Sequence, residues 1–447
     1  MKKILSLLSI LIIISIILSG CSYSFKSVNE LIRPPMLNGE NSYLQNAFQS
    51  VVGTDMQMIS PSNGDYRSSY LIYDLNNDGK DEAFVFYSEP LGDNNVNIAF
   101  FTQNNDEWFL TDTITEAVSE IYEISFADIN GNNNKEILIS FFNSTDNAST
   151  DIMSQKENIS LNIYNYNGTN LTLQKTENYN KLYLADLNAD NSTDFLLFLT
   201  DIDEETNDLR TLGKYISFNS DYSLSNESSF FLYYNIEILN ITTDILSDKD
   251  IYTRIYIDSL VGENSIVTNV FYLNQETNEL FNIFKDDDSL SDTLRMSRVY
   301  SKDVDLDGIV EIPTIEALPG GIVINSDSDN TQLNLVLWSQ IVDGNIEVKY
   351  HSLYNNSQKY MFIFPESWLN NYSARYNYIN QTLTIYRLYD NKDIFAIKSF
   401  PTSSWDDYST DFTKIKSNDI YTYGYRIIND ETKDFINTIY SNFIVIE

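Results

Sequence analysis

Along most of the chain, short runs rich in Tyr, Ile, Thr, Phe and Val alternate with clusters of Asn, Asp, Gly and Ser. That pattern predicts many short strands joined by turns. A helical period appears in the N-terminal region over residues 40–52, where Leu44, Ala47, Phe48, Val51 and Val52 share one apolar face. After residue 354 the pattern changes. Residues 359–364, 383–388 and 394–400 predict further strands, and Phe435, Ile436, Ile439 and Tyr440 mark one side of a helix over 433–440. The mixture predicts a small α+β region over 355–447.

In the strand-rich region a nine-residue segment recurs between paired strands. It runs from Asp74 to Glu82, from Asp128 to Glu136, from Asp186 to Asp194 and from Asp303 to Glu311. The copies start 54, 58 and 117 residues apart. The last interval is about twice the others and predicts a further unit near Asp244. Residues 236–241 and 251–257 would be its strands, and its loop over 242–250 has lost the pattern.

The segment has the chemistry of a calcium loop. Calcium takes six to eight hard oxygen ligands at about 2.3–2.6 Å. Oxygens at positions 1, 3 and 5 of a tight loop converge on one point, and a carbonyl from position 7 and a carboxylate from position 9 complete the shell. The predicted ligands are Asp74, Asn76, Asp78, Lys80 and Glu82 in the first loop, and Asp128, Asn130, Asn132, Asn134 and Glu136 in the second. The third loop offers Asp186, Asn188, Asp190, Ser192 and Asp194, and the fourth Asp303, Asp305, Asp307, Ile309 and Glu311. Lys80, Asn134, Ser192 and Ile309 stand at position 7 and contribute only their carbonyls. Position 6 must turn with positive φ, and it holds Gly79, Asn133, Asn191 and Gly308. Counting carboxylates ranks the loop at 303 first, then 74, 186 and 128. Asx turns without any ion would use the same residue types.

Strand, D-x-[DN]-x-[DN]-[GN]-x-x-[DE], strand, repeated about every 60 residues, resembles the FG-GAP/VCBS repeats of integrin-α-like β-propellers. The resemblance spans roughly residues 65–354. It implies a mainly β fold, a β-propeller of about five visible four-stranded blades over 55–354, with two to four bound calcium ions stabilising the scaffold. The usual propeller of this family has seven blades and FG-GAP dipeptides. Here five units are visible and the dipeptides are not, so either the ring has five blades or flanking segments complete a larger one.

The first residues decide the expected compartment. Lys2 and Lys3 precede an apolar run over 4–18, which ends in Leu18-Ser19-Gly20-Cys21. A positive start, a short apolar core and small residues at its exit form a secretory signal over 1–20, too short for a membrane span. Leu-Ser-Gly-Cys resembles the bacterial lipobox, which implies a diacylated Cys21 as the first mature residue. Residues 21–54 would then be a lipidated tether and short helix, holding the protein on the outer face of the cell membrane. Cys21 is the only cysteine, so no internal disulfide forms. The net charge of −36 argues against nucleic acid and anionic headgroups as partners. Anchoring must therefore come from the acyl chains.

Little in the sequence speaks for catalysis. With one histidine, His351, and one cysteine that the lipobox resemblance assigns to lipidation, a Ser-His-Asp or Cys-His site is nearly excluded, and a zinc site with His or Cys ligands is excluded. Gly320-Gly321 reads as a turn. The expected function is a non-enzymatic, surface-anchored module that binds a protein or glycan. A carboxylate-pair polysaccharide hydrolase or lyase, and a structural envelope-assembly protein, stay open as alternatives.

Overall fold

The computed structural model describes residues 40–90, 95–104, 107–118, 120–142, 159–203, 209–232, 237–245, 252–284, 290–325, 330–429 and 435–446. The described chain is mainly β, built from successive antiparallel meanders of the propeller-blade type. It divides into two compact units. One comprises 1–125, 139–144 and 164–172, and the other comprises 126–138, 145–163 and 173–447.

The first unit opens with helix α1 (Glu40–Val51), followed by β1 (Gln57–Met58), β2 (Tyr70–Tyr73), β3 (Glu82–Ser88), β4 (Val96–Asn104) and β5 (Glu107–Glu116). β3 pairs with β2 along one half and with β1 along the other. The run Ala83-Phe84-Val85-Phe86-Tyr87 is buried throughout, so both faces of this strand are covered and its sequence is continuously apolar rather than alternating. On one face the covering element is α1, whose Leu44 and Phe48 pack against Val85, Phe101 and Trp108.

The second sheet has the order β6 (Ile121–Ala127), β7 (Glu136–Phe142), β8 (Ile159–Tyr166), β9 (Leu171–Tyr179). The third meander, in the second unit, is β10 (Lys181–Ala185), β11 (Asp194–Ile202), β12 (Leu209–Phe218) and β13 (Leu224–Leu232). The unit expected near Asp244 is present as β14 (Glu237–Ile245), β15 (Tyr252–Val261), β16 (Ser265–Asn274) and β17 (Leu280–Asn282). The third and fourth sheets share a core that includes Leu196, Phe198, Ile255, Ile257 and Phe271.

The fourth sheet carries ion pairs where its relatives carry loops. Arg254 Nε donates to Asp244 Oδ1 at 2.5 Å, and the other Asp244 oxygen accepts the Val310 amide at 2.6 Å. Deeper still, Asp258 accepts Arg295 Nη2, Thr268 Oγ1, and both the amide and hydroxyl of Ser301, at 2.6–2.8 Å. A buried carboxylate satisfied by this many donors fixes the segment 290–301 on β15 and β16.

The fifth sheet departs from expectation in three places. The strand expected over 299–302 is reduced to a single bridge, Lys302 with Glu311. The sheet then runs through β18 (Ile312–Ile324), β19 (Thr331–Val342), β20 (Asn345–Asn355) and β21 (Tyr360–Ile363). It continues into β22 (Tyr372–Asn377), β23 (Thr382–Arg387), β24 (Lys392–Pro401), β25 (Thr413–Ser417), β26 (Tyr421–Ile427) and β27 (Phe443–Val445). β22 joins by parallel pairing with residues 322–324 of β18, and β27 pairs with β21. The border expected between 354 and 355 therefore falls inside β20, within one hydrogen-bonded ten-stranded sheet. Helix α2 (Phe435–Asn442) buries Ile439 in the core of this region, beside Phe362, Phe395 and Phe443. Finally, Gly320-Gly321 forms a bulge within β18 instead of a turn. Gly320 has φ +73, Tyr386 Oη donates to its carbonyl, and a Cβ on Gly321 would lie 2.6 Å from the Leu333 carbonyl. Glycine is required there because two backbones approach closely.

Candidate metal centres

Three of the four loops connect two paired strands, the loop at 303 leads from the Lys302 bridge into β18, and all four share a set of hydrogen bonds. The position-1 aspartate accepts two backbone amides. Asp74 takes those of Asp78 and Gly79 at 3.2 and 3.0 Å, and Asp128 those of Asn132 and Asn133 at 3.2 and 2.7 Å. Asp186 takes Asp190 and Asn191 at 3.1 and 2.9 Å, and Asp303 takes Asp307 and Gly308 at 3.1 and 2.8 Å. The position-5 side chain accepts the amide of position 7, at Asp78, Asn132, Asp190 and Asp307. Position 3 joins in three loops, where Asn76, Asn130 and Asn188 accept the position-5 amide. These bonds turn side-chain oxygens of positions 1, 3 and 5 toward the loop interior.

Two features of the frame lie outside the sequence expectation. Position 2 is an aliphatic anchor: Leu75, Ile129, Leu187 and Val304 are all buried. Its amide donates to the position-9 carboxylate, at 2.9 Å to Glu82, 3.0 Å to Glu136, 2.9 Å to Asp194 and 2.9 Å to Glu311. Position 4 also turns with positive φ, at Asn77 (54), Gly131 (71), Ala189 (59) and Leu306 (64), as position 6 does in every loop. The signal for position 2 was the Asp-[Leu/Ile/Val] step that opens each copy. Position 4 gave none, since it varies from Gly to Leu.

The loops differ at the position-9 acid. All four are buried, with Asp194 and Glu311 wholly so. Burial raises Glu82 to about 7, the Leu75 amide opposing and the charges of Asp78, Asp74 and Asp81 adding to the rise. Burial likewise raises Asp194 to about 7. At Asp194, Oδ1 is buried and accepts no hydrogen bond of good geometry among the described residues, although the Tyr215 hydroxyl interacts with this carboxylate. A carboxylate oxygen left so beside Asp186 and Asp190 fits a divalent cation, which would satisfy it and offset the repulsion. At Glu136 the second oxygen already accepts Tyr222 Oη at 2.8 Å and Asn130 Nδ2 at 3.4 Å. The loops at 128 and 186 are also joined directly, since the Thr193 amide donates to the Asp128 carbonyl at 2.7 Å.

The loop at 303 holds a protein cation, although Asp305 Oδ1, like Asp194 Oδ1, is buried and accepts no hydrogen bond of good geometry among the described residues. Lys349 Nζ lies 2.8 Å from Asp305 Oδ2, 2.6 Å from Asp307 Oδ2 and 2.9 Å from Glu311 Oε1. Gln340 donates to Glu311 Oε1 at 2.8 Å, and Tyr350 Oη to Asp305 Oδ2 at 2.7 Å. Partial burial works against the Lys349 charge, but the three carboxylates raise its pKa well above the usual lysine value. Oxygens of Asp303, Asp305 and Glu311 still lie within 4.8 Å of one another.

Of the other residues singled out by sequence, Cys21 lies outside the described residues. His351 sits in β20 opposite Leu337. No described helix is long and apolar enough to cross a membrane.

Residues 74–139 match the FG-GAP-like repeat. The match runs from the first loop to the strand after the second. No curated protein matches the chain. Among solved structures, a hypothetical protein from Leishmania major is 14% identical, with 65% of this chain and 87% of that one covered and a TM-score of 0.22. The rhamnogalacturonan lyase PL11 of Bacillus licheniformis is 10% identical, covering 65% and 68%, with a TM-score of 0.27. The β-propeller domain of the Trilobed protease from Pyrococcus furiosus is 10% identical, covering 74% and 94%, with a TM-score of 0.28. Scores this low say nothing about function.

The loop frame makes two outcomes measurable. Leu306 is 75% exposed and held at φ 64, where an L side chain costs about 1–2 kcal/mol. Leu306→Gly relieves that at little loss of packing, so chemical denaturation should show a gain of about 0.5–1 kcal/mol; a loss would mean that the leucine side chain makes a needed contact. The second concerns pH. Acids raised to about 7 in the fold contribute stability that is fully present below their unfolded values, near 4–4.5, and lost as pH rises through about 7. In calcium-depleted buffer the melting temperature should therefore fall between pH 5 and 8, and less steeply in the Glu82→Gln, Asp194→Asn double variant. Parallel profiles would refute the assignment.

Proposed function

We propose that this protein is a lipoprotein displayed outside the cell membrane through Cys21, with a calcium-stabilised propeller that engages a protein or glycan partner and performs no chemistry of its own. The observation carrying the calcium reading is Asp194: a wholly buried carboxylate with one oxygen that accepts no hydrogen bond of good geometry among the described residues, in a loop whose frame turns further acid oxygens inward. A divalent ion supplies charge neutralisation and ligand bonds there, and Asp186, Asn188, Asp190, the Ser192 carbonyl and Asp194 would hold it. Asp74, Asn76, Asp78, the Lys80 carbonyl and Glu82 offer a second set. The loop at 128 has only two carboxylates, and its Glu136 is already satisfied by Tyr222 and Asn130. The anchor reading rests on the lipobox-like Leu18-Ser19-Gly20-Cys21.

The ion's role in this reading is mechanical. The loops at 74 and 186 each join two paired strands, β2 to β3 and β10 to β11, so binding stiffens the strand pair rather than activating a substrate. Extracellular calcium sites have Kd values of about 0.1–1 mM, so about 1 mM calcium adds roughly 0.4–1.4 kcal/mol per site. Calorimetric melting in 1 mM calcium against EDTA should show a rise of several degrees, reduced in Asp74→Ala and again in Asp74→Ala with Asp186→Ala. No rise would leave the loops as plain turns. Surface labelling of cells should find the protein membrane-bound, with Cys21→Ser no longer lipidated; an unlipidated wild-type chain would sink the anchor.

A further inference from the structure

The loop at 303 has the most acidic ligand set, and its geometry points to a different cation from the others. We propose that Lys349 is a tethered counter-ion that takes the place of calcium in this loop, so that the fifth sheet holds its strand connection without metal. The inference rests on the calcium reading only for the contrast with the other loops. The Lys349 arrangement stands on its own geometry.

The ammonium of Lys349 has three donors, and three carboxylates receive them: Asp305, Asp307 and Glu311, all within 2.9 Å. Asp305 and Glu311 are two of the three acids whose oxygens converge in this loop. A divalent ion at that point would lie against a like charge. The residues present do not fit a resident calcium ion while Lys349 is there.

The backbone delivers this lysine to the loop. β20 is two strands away from β18, which follows the loop, so Lys349 must reach across β19. In a regular strand successive side chains point to opposite faces, and Lys349 and Tyr350 could not both meet the loop. The β19–β20 ladder shifts at this point: Trp338 pairs with Tyr350 and Ser339 with Val348, leaving Lys349 as the extra residue of a β-bulge. A bulge re-aims a side chain. Here it lets Lys349 and Tyr350 both reach Asp305, while Gln340 on β19 takes the remaining approach to Glu311. The Lys349 ammonium also lies over the Tyr350 ring, 5.2 Å from Nζ to the centroid. Each feature is local to this sheet. In the second sheet Tyr222 and Asn130 bond the equivalent Glu136, and at Asp194 the equivalent oxygen accepts no hydrogen bond of good geometry among the described residues.

The test uses the full chain and calcium alone as the probe. Equilibrium dialysis should find one more calcium ion per chain in Lys349→Met than in wild type, and the extra ion should vanish in Lys349→Met with Asp305→Asn. Hydrogen exchange on the wild type supplies a reading that needs no variant. On moving from millimolar calcium to EDTA, the amides of Val304, Asp307 and Gly308 should keep their protection, while those of Gly79 and Asn191 exchange about tenfold faster. Equal ion counts in wild type and Lys349→Met, or loss of protection at 304, 307 and 308 in EDTA, would overturn the proposal. If Gly79 and Asn191 are also unaffected by EDTA but Lys349→Met gains an ion, the calcium reading of those loops fails and the role of Lys349 stands.

Discussion

A buried carboxylate at the end of the loop sets the terms for four of the repeats of this protein. Glu82, Glu136 and Asp194 open strands that begin with a continuous buried run, Glu311 stands just before β18, and all four carboxylates are buried. Burying an anion costs several kcal/mol unless it finds donors. One oxygen of each finds the amide of position 2, whose aliphatic side chain pins the loop into the core. The loop between them can then close in only one way, with the position-1 aspartate collecting the amides of positions 5 and 6.

What satisfies the rest of that carboxylate differs from sheet to sheet. A tyrosine hydroxyl and an asparagine amide serve Glu136, and a lysine and a glutamine serve Glu311. Asp194 Oδ1 accepts no hydrogen bond of good geometry among the described residues. In the fourth sheet the position opposite Ile245 is Thr253, with no carboxylate to satisfy, and the sheet is pinned instead by the buried Asp244–Arg254 and Asp258–Arg295 pairs. On the proposed reading the same scaffold offers a graded series, from loops closed by protein donors to loops that take a metal. On that reading calcium would adjust the stability of particular sheets without deciding whether all of them fold.

Much of this was legible in the residues. The repeat interval located the fourth sheet although its loop had lost the ligand pattern, because strand-forming runs persisted at the expected distance. Gly79, Asn133, Asn191 and Gly308 announced the position-6 turn, since few other residues accept positive φ. Leu306 and Ala189 concealed the position-4 turn, because the loop's hydrogen bonds there outweigh the cost of a poor residue. Lys349 could not be found from sequence. It lies 38 residues beyond Glu311, in a Tyr-rich run that reads as an ordinary strand, and only the ladder shift at Trp338 and Ser339 aims it. Nor did the sequence signal that the fifth sheet continues past residue 355, since parallel pairing of β22 with β18 depends on the Gly320-Gly321 bulge.

One loop frame, on this account, serves a metal in some sheets and a protein cation in another. A crystal structure of the protein grown in calcium tests that most directly, with anomalous scattering to identify the ions. The expected result is calcium at the centre of the loop at 186, ligated by Asp186, Asp190 and the Oδ1 oxygen of Asp194, and Lys349 Nζ in the loop at 303. Calcium in the loop at 303 with Lys349 turned away, or no ion beside Asp194, would contradict it.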